Sequence, residues 1–126
     1  MSRQNISSGA KWEDIVGYSR AVRIGNIIEV SGTTAMLHGE LQGKGDYYAQ
    51  TKVSLEIIGK ALGKAGASWE DVIRTRIYIK DMIHWEEVGK AHGEIFGKIK
   101  PATSMIQVEM IDPEILVEIE ASAVIS

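Results

Sequence analysis

Residues 115–125 alternate strictly. Ile115, Val117, Ile119, Ala121, Ala123 and Ile125 fall on one side, and Leu116, Glu118, Glu120, Ser122 and Val124 on the other. A period of two rich in β-branched side chains describes a strand, so this stretch must lay one apolar face against a core. The opposite face carries two carboxylates among Leu116 and Val124, which implies that it is half covered rather than open to water. Upstream, Pro101–Val108 reads as another strand. Ile111-Asp112-Pro113-Glu114 separates the two, because Asp-Pro favours a turn and proline cannot donate inside a central strand.

The preceding chain supplies the partners. Residues 1–10 are small and polar and read as a loosely ordered arm. Lys11–Val16 suggests a short turn or partial helix, and Ser19–Ile24 and Ile27–Ser31 a hairpin about Gly25-Asn26. Gly32 ends or bulges the second strand, and Met36–Gly45 reads as a glycine-rich loop. Asp46–Gly66 is expected to be a helix with Asp46 as N-cap, Gly66 as C-cap, and Leu55, Ile58, Leu62 and Ala65 in one stripe. Ser68-Trp69-Glu70-Asp71 resembles a capped turn leading into a strand, with Ile73, Thr75, Ile77 and Ile79 inward and Arg74, Arg76 and Tyr78 outward. Asp81–Lys98 predicts a second helix that buries Val88, Ala91, Ile95 and Phe96. Trp-Glu-Asp followed by two aliphatic residues occurs at 12–16 and again at 69–73; a turn that enters a strand well accounts for it, and an internal duplication is the alternative.

The order β-β-α-β-α-β-β describes a single α+β domain over residues 1–126, a mostly antiparallel sheet with both helices on one face. The other face is not simply polar, and no residues remain to cover it. Another copy of the chain is therefore the expected cover, making the protein a homo-oligomer.

With no cysteine, thiol catalysis and disulfides are excluded. A net charge of −3 without a basic run argues against nucleic acid as partner. No stretch approaches a membrane span and the first residues lack an apolar signal core, so no membrane association and a cytoplasmic location are expected. His38, His84 and His92 lack ligand spacing, so no metal is expected, and His92 reads as a partly buried packing residue. Gly59–Ala65 is one residue short of a phosphate loop and lacks its hydroxyl, and no Gly-x-Ser-x-Gly elbow exists. What remains is Glu118 and Glu120 with Tyr18, Ser31 and residues 101–105. A carboxylate on a half-covered strand has its pKa raised by desolvation, which suits proton transfer near neutrality. The competing account pairs both glutamates with Arg20, Arg23, Arg74 or Arg76 on neighbouring strands.

Tyr18 ahead of the hairpin, Val30-Ser31-Gly32 at its close, residues 74–81, Pro101-Ala102-Thr103-Ser104 and Leu116–Ala121 occur in the order seen in the Rid family (YjgF-like reactive intermediate deaminases). The chain resembles that family from about Val16 to Val124. The resemblance implies a chorismate-mutase-like fold, a homotrimer with clefts between subunits, and no cofactor. It also implies small-molecule partners, imines or enamines hydrolysed to ketones or keto acids plus ammonia. Carried over position by position, Glu118 is the catalytic residue that orients water. Tyr18, Ser31 and Gly32, together with Thr103, Ser104 and Met105, form the substrate-binding set. Thr103 departs from the family pattern, which places there an arginine that clamps the substrate carboxylate; a hydroxyl donates one hydrogen bond and carries no charge. Met105 makes the cleft more apolar.

Two readings follow. In one the protein hydrolyses an imine or enamine whose acid group is absent or held by Arg20, Arg23, Arg76 or Lys100. In the other it is a non-catalytic, metabolite-binding trimer that has lost the deaminase activity. A nuclease or translation-inhibitor role, sometimes attached to the family, is discounted on the acidic charge balance.

Overall fold

The computed structural model describes residues 2–126. Its strands are β1 (Arg3–Ile6), β2 (Ala21–Ile24), β3 (Ile27–Thr33), β4 (Met36–Leu37), β5 (Glu40–Leu41), β6 (Val72–Ile79), β7 (Ala102–Gln107) and β8 (Val117–Val124). Its main helices are α1 (Tyr47–Lys64) and α2 (Trp85–Phe96). Six strands form one sheet in the order β1-β2-β3-β8-β6-β7, with β4 and β5 a separate small hairpin. Within the large sheet only β6 and β7 run parallel, joined through α2; the other neighbours are antiparallel. The molecule is thus α+β with a mostly antiparallel sheet.

The alternating C-terminal stretch becomes β8, central between β3 and β6. Val117, Ile119, Ala121 and Ala123 are buried beneath α1 together with Ile28, Val30, Ile77 and Ile79. α1 forms where its sequence signals place it. The Asp46 carboxylate accepts the Ala49 N–H at 3.0 Å. At the other end Gly66, at φ +87°, turns the chain so that Ala67 N–H reaches Leu62 O at 2.8 Å and Gly66 N–H reaches Gly63 O at 3.0 Å, the paired bonds of a glycine-terminated helix. Leu55, Ile58, Ala61 and Leu62 supply its buried stripe.

Several expectations need correction. The N-terminal arm is not loose: Arg3–Ile6 pairs with β2 along its whole length, and Ile6 enters the core. One inward anchor in a polar tetrapeptide leaves no periodicity to read. The loop at 36–45 contains the β4–β5 hairpin. The second helix is shorter than predicted, because Asp81 caps a 3₁₀ turn over Met82–His84 before α2 starts. Ile73 is outward and 55% exposed, since the register of β6 against β8 slips between Val72 and Arg74 and puts Val72 inside instead. A one-residue slip reverses which side chains face the core.

Both helices pack on one face of the sheet. The opposite face carries three cross-strand rows: Glu118 with Tyr78 and Ile106, Glu120 with Arg76 and Ser104, and Glu29 with Ser122, Arg74 and Ala102. At its far end Ile24 and Ile27 are paired and exposed, with Val124 beside them.

Candidate functional site

The site is built around an irregularity in β3. Val30 pairs with Ala121 and Thr33 with Ile119, so Ser31 and Gly32 together stand opposite the single Glu120. Such a bulge re-aims the local backbone. Here it brings Gly32 against Glu118: a Cβ at position 32 would overlap Oε2 of the carboxylate. Glycine is needed for space, since its φ is not in the left-handed region.

Arg20 ties the bulge down. Its Nη1 donates to Gly32 O at 2.7 Å and to Thr33 Oγ1 at 2.8 Å, and Nη2 donates to Tyr18 Oη at 3.4 Å. The guanidinium also lies 5.6 Å from the Tyr18 ring centre, within cation–π range. Ser31 Oγ donates to Ser19 O at 2.6 Å, and its backbone N–H to Arg20 O at 2.9 Å. Tyr18 ends a one-turn π-helix, Glu13–Gly17. Tyr18 and Ser31 line an open pocket of about 560 Å³ with Glu13, Ser19 and Arg3. Glu13 is buried and accepts from Ser7 Oγ, Ser8 Oγ and Ser8 N–H. Burial acts to raise its pKa, but these hydrogen bonds outweigh it and leave the carboxyl below its usual value.

Glu118 sits in a different electrostatic setting. Burial pushes its pKa up, the neighbouring Glu120 pushes the same way, and Arg20 opposes both. It forms no ion pair among the described residues, so the expected alternative of two arginine-paired glutamates is not what the molecule adopts. Glu120 is engaged by a neutral donor, the Tyr78 hydroxyl at 2.8 Å. That bond and burial raise the pKa of Tyr78. The outcome is two carboxylates with separated duties: one hydrogen-bonded, the other desolvated and lacking a counter-ion in direct contact.

The predicted residues therefore fall into two groups. Gly32 and Glu118 meet between β3 and β8, Ser31 adjoins Gly32 in the bulge, and Tyr18, which precedes β2, is linked to Gly32 through Arg20. Thr103, Ser104 and Met105 lie on β7, separated from β8 by β6. Only Ser104 of these three shares the Glu118 face, where its Oγ accepts from Arg74 Nη2 at 2.8 Å. Thr103 and Met105 point to the helix side. Thr103 Oγ1 is 2.7 Å from Oγ1 of the buried Thr75, which is 2.9 Å from His92 Nε2. Thr103 also donates to Pro101 O at 3.2 Å. Burial lowers the pKa of His92, so this chain of hydroxyls ends on a neutral imidazole rather than a cation. Within one chain, Thr103 and Met105 do not meet Glu118.

Two residues absent from the predicted set are structural keys. Arg20 was considered only as a carboxylate's partner, yet it organises the bulge. Gln50, fully buried in α1, donates to Gly43 O and Glu114 O and accepts the Leu116 N–H, pinning the entry to β8. A glutamine inside the apolar stripe of a helix was the available signal. Among the described residues there is no cluster of His, Cys, Asp and Glu able to hold a metal, and no helix is long and apolar enough to cross a membrane.

Known proteins agree with this architecture. The family model described as Endoribonuclease L-PSP matches residues 9–125. A crystal structure of Rv2704 from Mycobacterium tuberculosis, described as a member of the YjgF/YER057c/UK114 family, superposes with a TM-score of 0.89 at 52% identity, covering 98% of this chain and 100% of that one. An uncharacterised protein of Streptomyces coelicolor, SCO2049, is 38% identical over 121 residues, 95% of this chain and 90% of its own. A 3-aminoacrylate deaminase, RutC, of Acinetobacter baylyi is 32% identical over 107 residues, 84% of this chain and 85% of its own. On this sequence, fold and set of relatives, the chain belongs to the Endoribonuclease L-PSP family, the YjgF/Rid proteins.

Proposed function

We propose that the protein is a homotrimeric, cytoplasmic deaminase that hydrolyses a small imine or enamine, with Glu118 handling the proton of the attacking water. The observation that carries this is the state of Glu118: half-buried, wedged against Gly32, without an ion-pair partner, and with its pKa raised. Such a carboxylate takes up and returns a proton near neutral pH more readily than an exposed one. An enamine first accepts a proton at carbon from the acid form of Glu118 and becomes an iminium ion. Water then attacks the imine carbon as Glu118 accepts its proton, and the C=N π pair moves to nitrogen. Glu118 returns that proton to nitrogen; as the C–N bond breaks and its electron pair leaves with ammonia, the new hydroxyl passes its own proton to the Glu118 carboxylate and becomes the carbonyl oxygen of the product. The enamine named for the Acinetobacter relative belongs to this substrate class.

The half-covered outer face of the sheet, with Ile24, Ile27 and Ile106 exposed among its charges, supports packing against further copies. A cleft completed by a neighbouring copy would also explain why residues 103–105 lie apart from Glu118 within one chain. The engagement of Thr103 with Thr75 and Pro101, with no cation in the chain of hydroxyls, favours the second reading, a binding protein without turnover.

The test generates 2-iminopropanoate in situ and follows ammonia release. Wild type is expected to exceed the buffer rate, and Glu118→Gln to return it close to buffer. No acceleration by wild type removes the deaminase reading for this substrate, and acceleration untouched by Glu118→Gln removes the role of Glu118.

A further inference from the structure

Arg20 is the one cation among the buried residues, 8% exposed, and it makes no ion pair among the described residues. Taking a guanidinium out of water with no counter-ion in contact is costly, and a neutral amide could donate to two neutral acceptors as well. Its contacts show what the charge accompanies. A bulge leaves backbone groups without ladder partners, and Arg20 closes both of the carbonyls concerned. Nη1 donates directly to Gly32 O at 2.7 Å, and to Thr33 Oγ1 at 2.8 Å, whose hydroxyl donates onward to Ser31 O at 2.7 Å. The Arg20 carbonyl accepts the Ser31 N–H at 2.9 Å. On its other side Nη2 donates to Tyr18 Oη at 3.4 Å. One side chain therefore joins the tyrosine to the bulge, and the bulge carries Gly32 against Glu118.

The groups facing Glu118 are few. Glu120 shares its strand, Tyr78 and Arg76 lie across from these glutamates on β6, and Arg20 stands beside the bulge of β3. The Tyr78 hydroxyl is spent on Glu120. Among the cations it is Arg20 that acts to lower the pKa of Glu118, against burial and Glu120. Without that opposing charge the carboxyl would keep its proton to higher pH, and water attack on an imine would lose its proton acceptor.

We propose that Arg20 is a positioning residue for this site: its fork fixes the Gly32–Glu118 wedge relative to Tyr18, and its charge is the counterweight to Glu120 across the Glu118 carboxylate. The kinetic half of this inference rests on the deaminase proposal, whereas the proton equilibrium of Glu118 is read without turnover.

The experiment compares Arg20→Gln, which keeps donors but no charge, with Arg20→Lys, which keeps the charge but not the fork. Carbon-13 NMR gives the Glu118 midpoint, and 2-iminopropanoate hydrolysis gives kcat and its pH profile. Circular dichroism and light scattering establish that each variant is folded and assembled as wild type is. Arg20→Gln is expected to raise the Glu118 midpoint, to move the acid limb of the pH profile upward with it, and to lower kcat about tenfold or more. Arg20→Lys is expected to hold the midpoint near that of wild type while kcat still falls. A midpoint indifferent to Arg20→Gln overturns the proposal and leaves Arg20 a scaffold residue. An Arg20→Lys midpoint shifted as far as that of Arg20→Gln, or an Arg20→Lys kcat equal to wild type, overturns it as well. These last two outcomes decide the matter alone where Arg20→Gln does not fold. A midpoint that follows the charge at residue 20 in a protein that hydrolyses no imine sustains the Arg20 assignment and defeats the deaminase reading instead.

Discussion

β8 has two faces of opposite character on one backbone. Val117, Ile119, Ala121 and Ala123 meet α1 and are almost fully buried, whereas Glu118 and Glu120 alternate with them on the other side. The apolar face is insensitive to detail beyond volume and shape. The acidic face depends on individual contacts: one glutamate differs from the next because Tyr78 reaches Glu120 and the Gly32 bulge reaches Glu118. Residues one step apart in sequence thus answer to different physics, burial on one side and local electrostatics on the other.

That contrast breaks if the two faces respond alike to mutation. Glu118→Gln is expected to cost about 10²–10⁴-fold in imine hydrolysis with the melting temperature unchanged or raised. Ile119→Ala is expected to do the reverse, losing about 2–5 kcal/mol of stability by the cavity it opens, as read by denaturant melts, while the folded fraction keeps its turnover per site. Gly32→Ala sharpens the comparison further. Its Cβ meets the mobile end of the Glu118 side chain, so stability should fall by less than about 1 kcal/mol, while displacement of the carboxylate lowers turnover up to about 10²-fold. In a Glu118→Gln background the same change should add little, as expected of coupled neighbours.

A smaller effect tests the polar chain on the helix face. Burial depresses the pKa of His92 below its value in the unfolded chain, so the unfolded state binds the extra proton first as pH falls. Stability contributed by neutral His92 is complete above the ordinary histidine range and declines through it toward the lower folded value. In His92→Gln that part of the decline should vanish from the pH dependence of the melting temperature. Glu118 has the opposite sign: with its folded pKa raised, its protonated form favours the fold, and stability is lost as pH rises from the ordinary carboxylate range through the raised value. The smallest effect is at the start of α1, where Asp46→Ala removes the bond to Ala49 and should cost about 1 kcal/mol.

The fold was legible where side chains repeat with a period. The alternation across 117–124, the stripe of α1 and the turn signals at Asp46, Gly66 and Ser68 lie where expected, because burial and capping act through local sequence; Leu116, expected on the outer face, instead enters the core just ahead of the strand. Arg3–Ile6 and Ile73 were misread because an edge strand with one anchor and a register slip leave no periodic trace. The gathering of Tyr18, Ser31, Gly32 and Glu118 could be anticipated only through family resemblance, since the bulge that joins them depends on pairing between segments nearly ninety residues apart. The placement of Thr103 on the helix face follows from the parallel register of β7 on β6, which no local pattern encodes.

The claim that matters most is that Glu118 is a desolvated carboxylate poised for proton transfer. Carbon-13 NMR titration of the glutamate side chains, with Glu118 assigned by Glu118→Gln, tests it directly. The account predicts a midpoint above the ordinary carboxylate range that moves down when Glu120 is replaced by Gln, and a midpoint in the ordinary range, indifferent to residue 120, would contradict it.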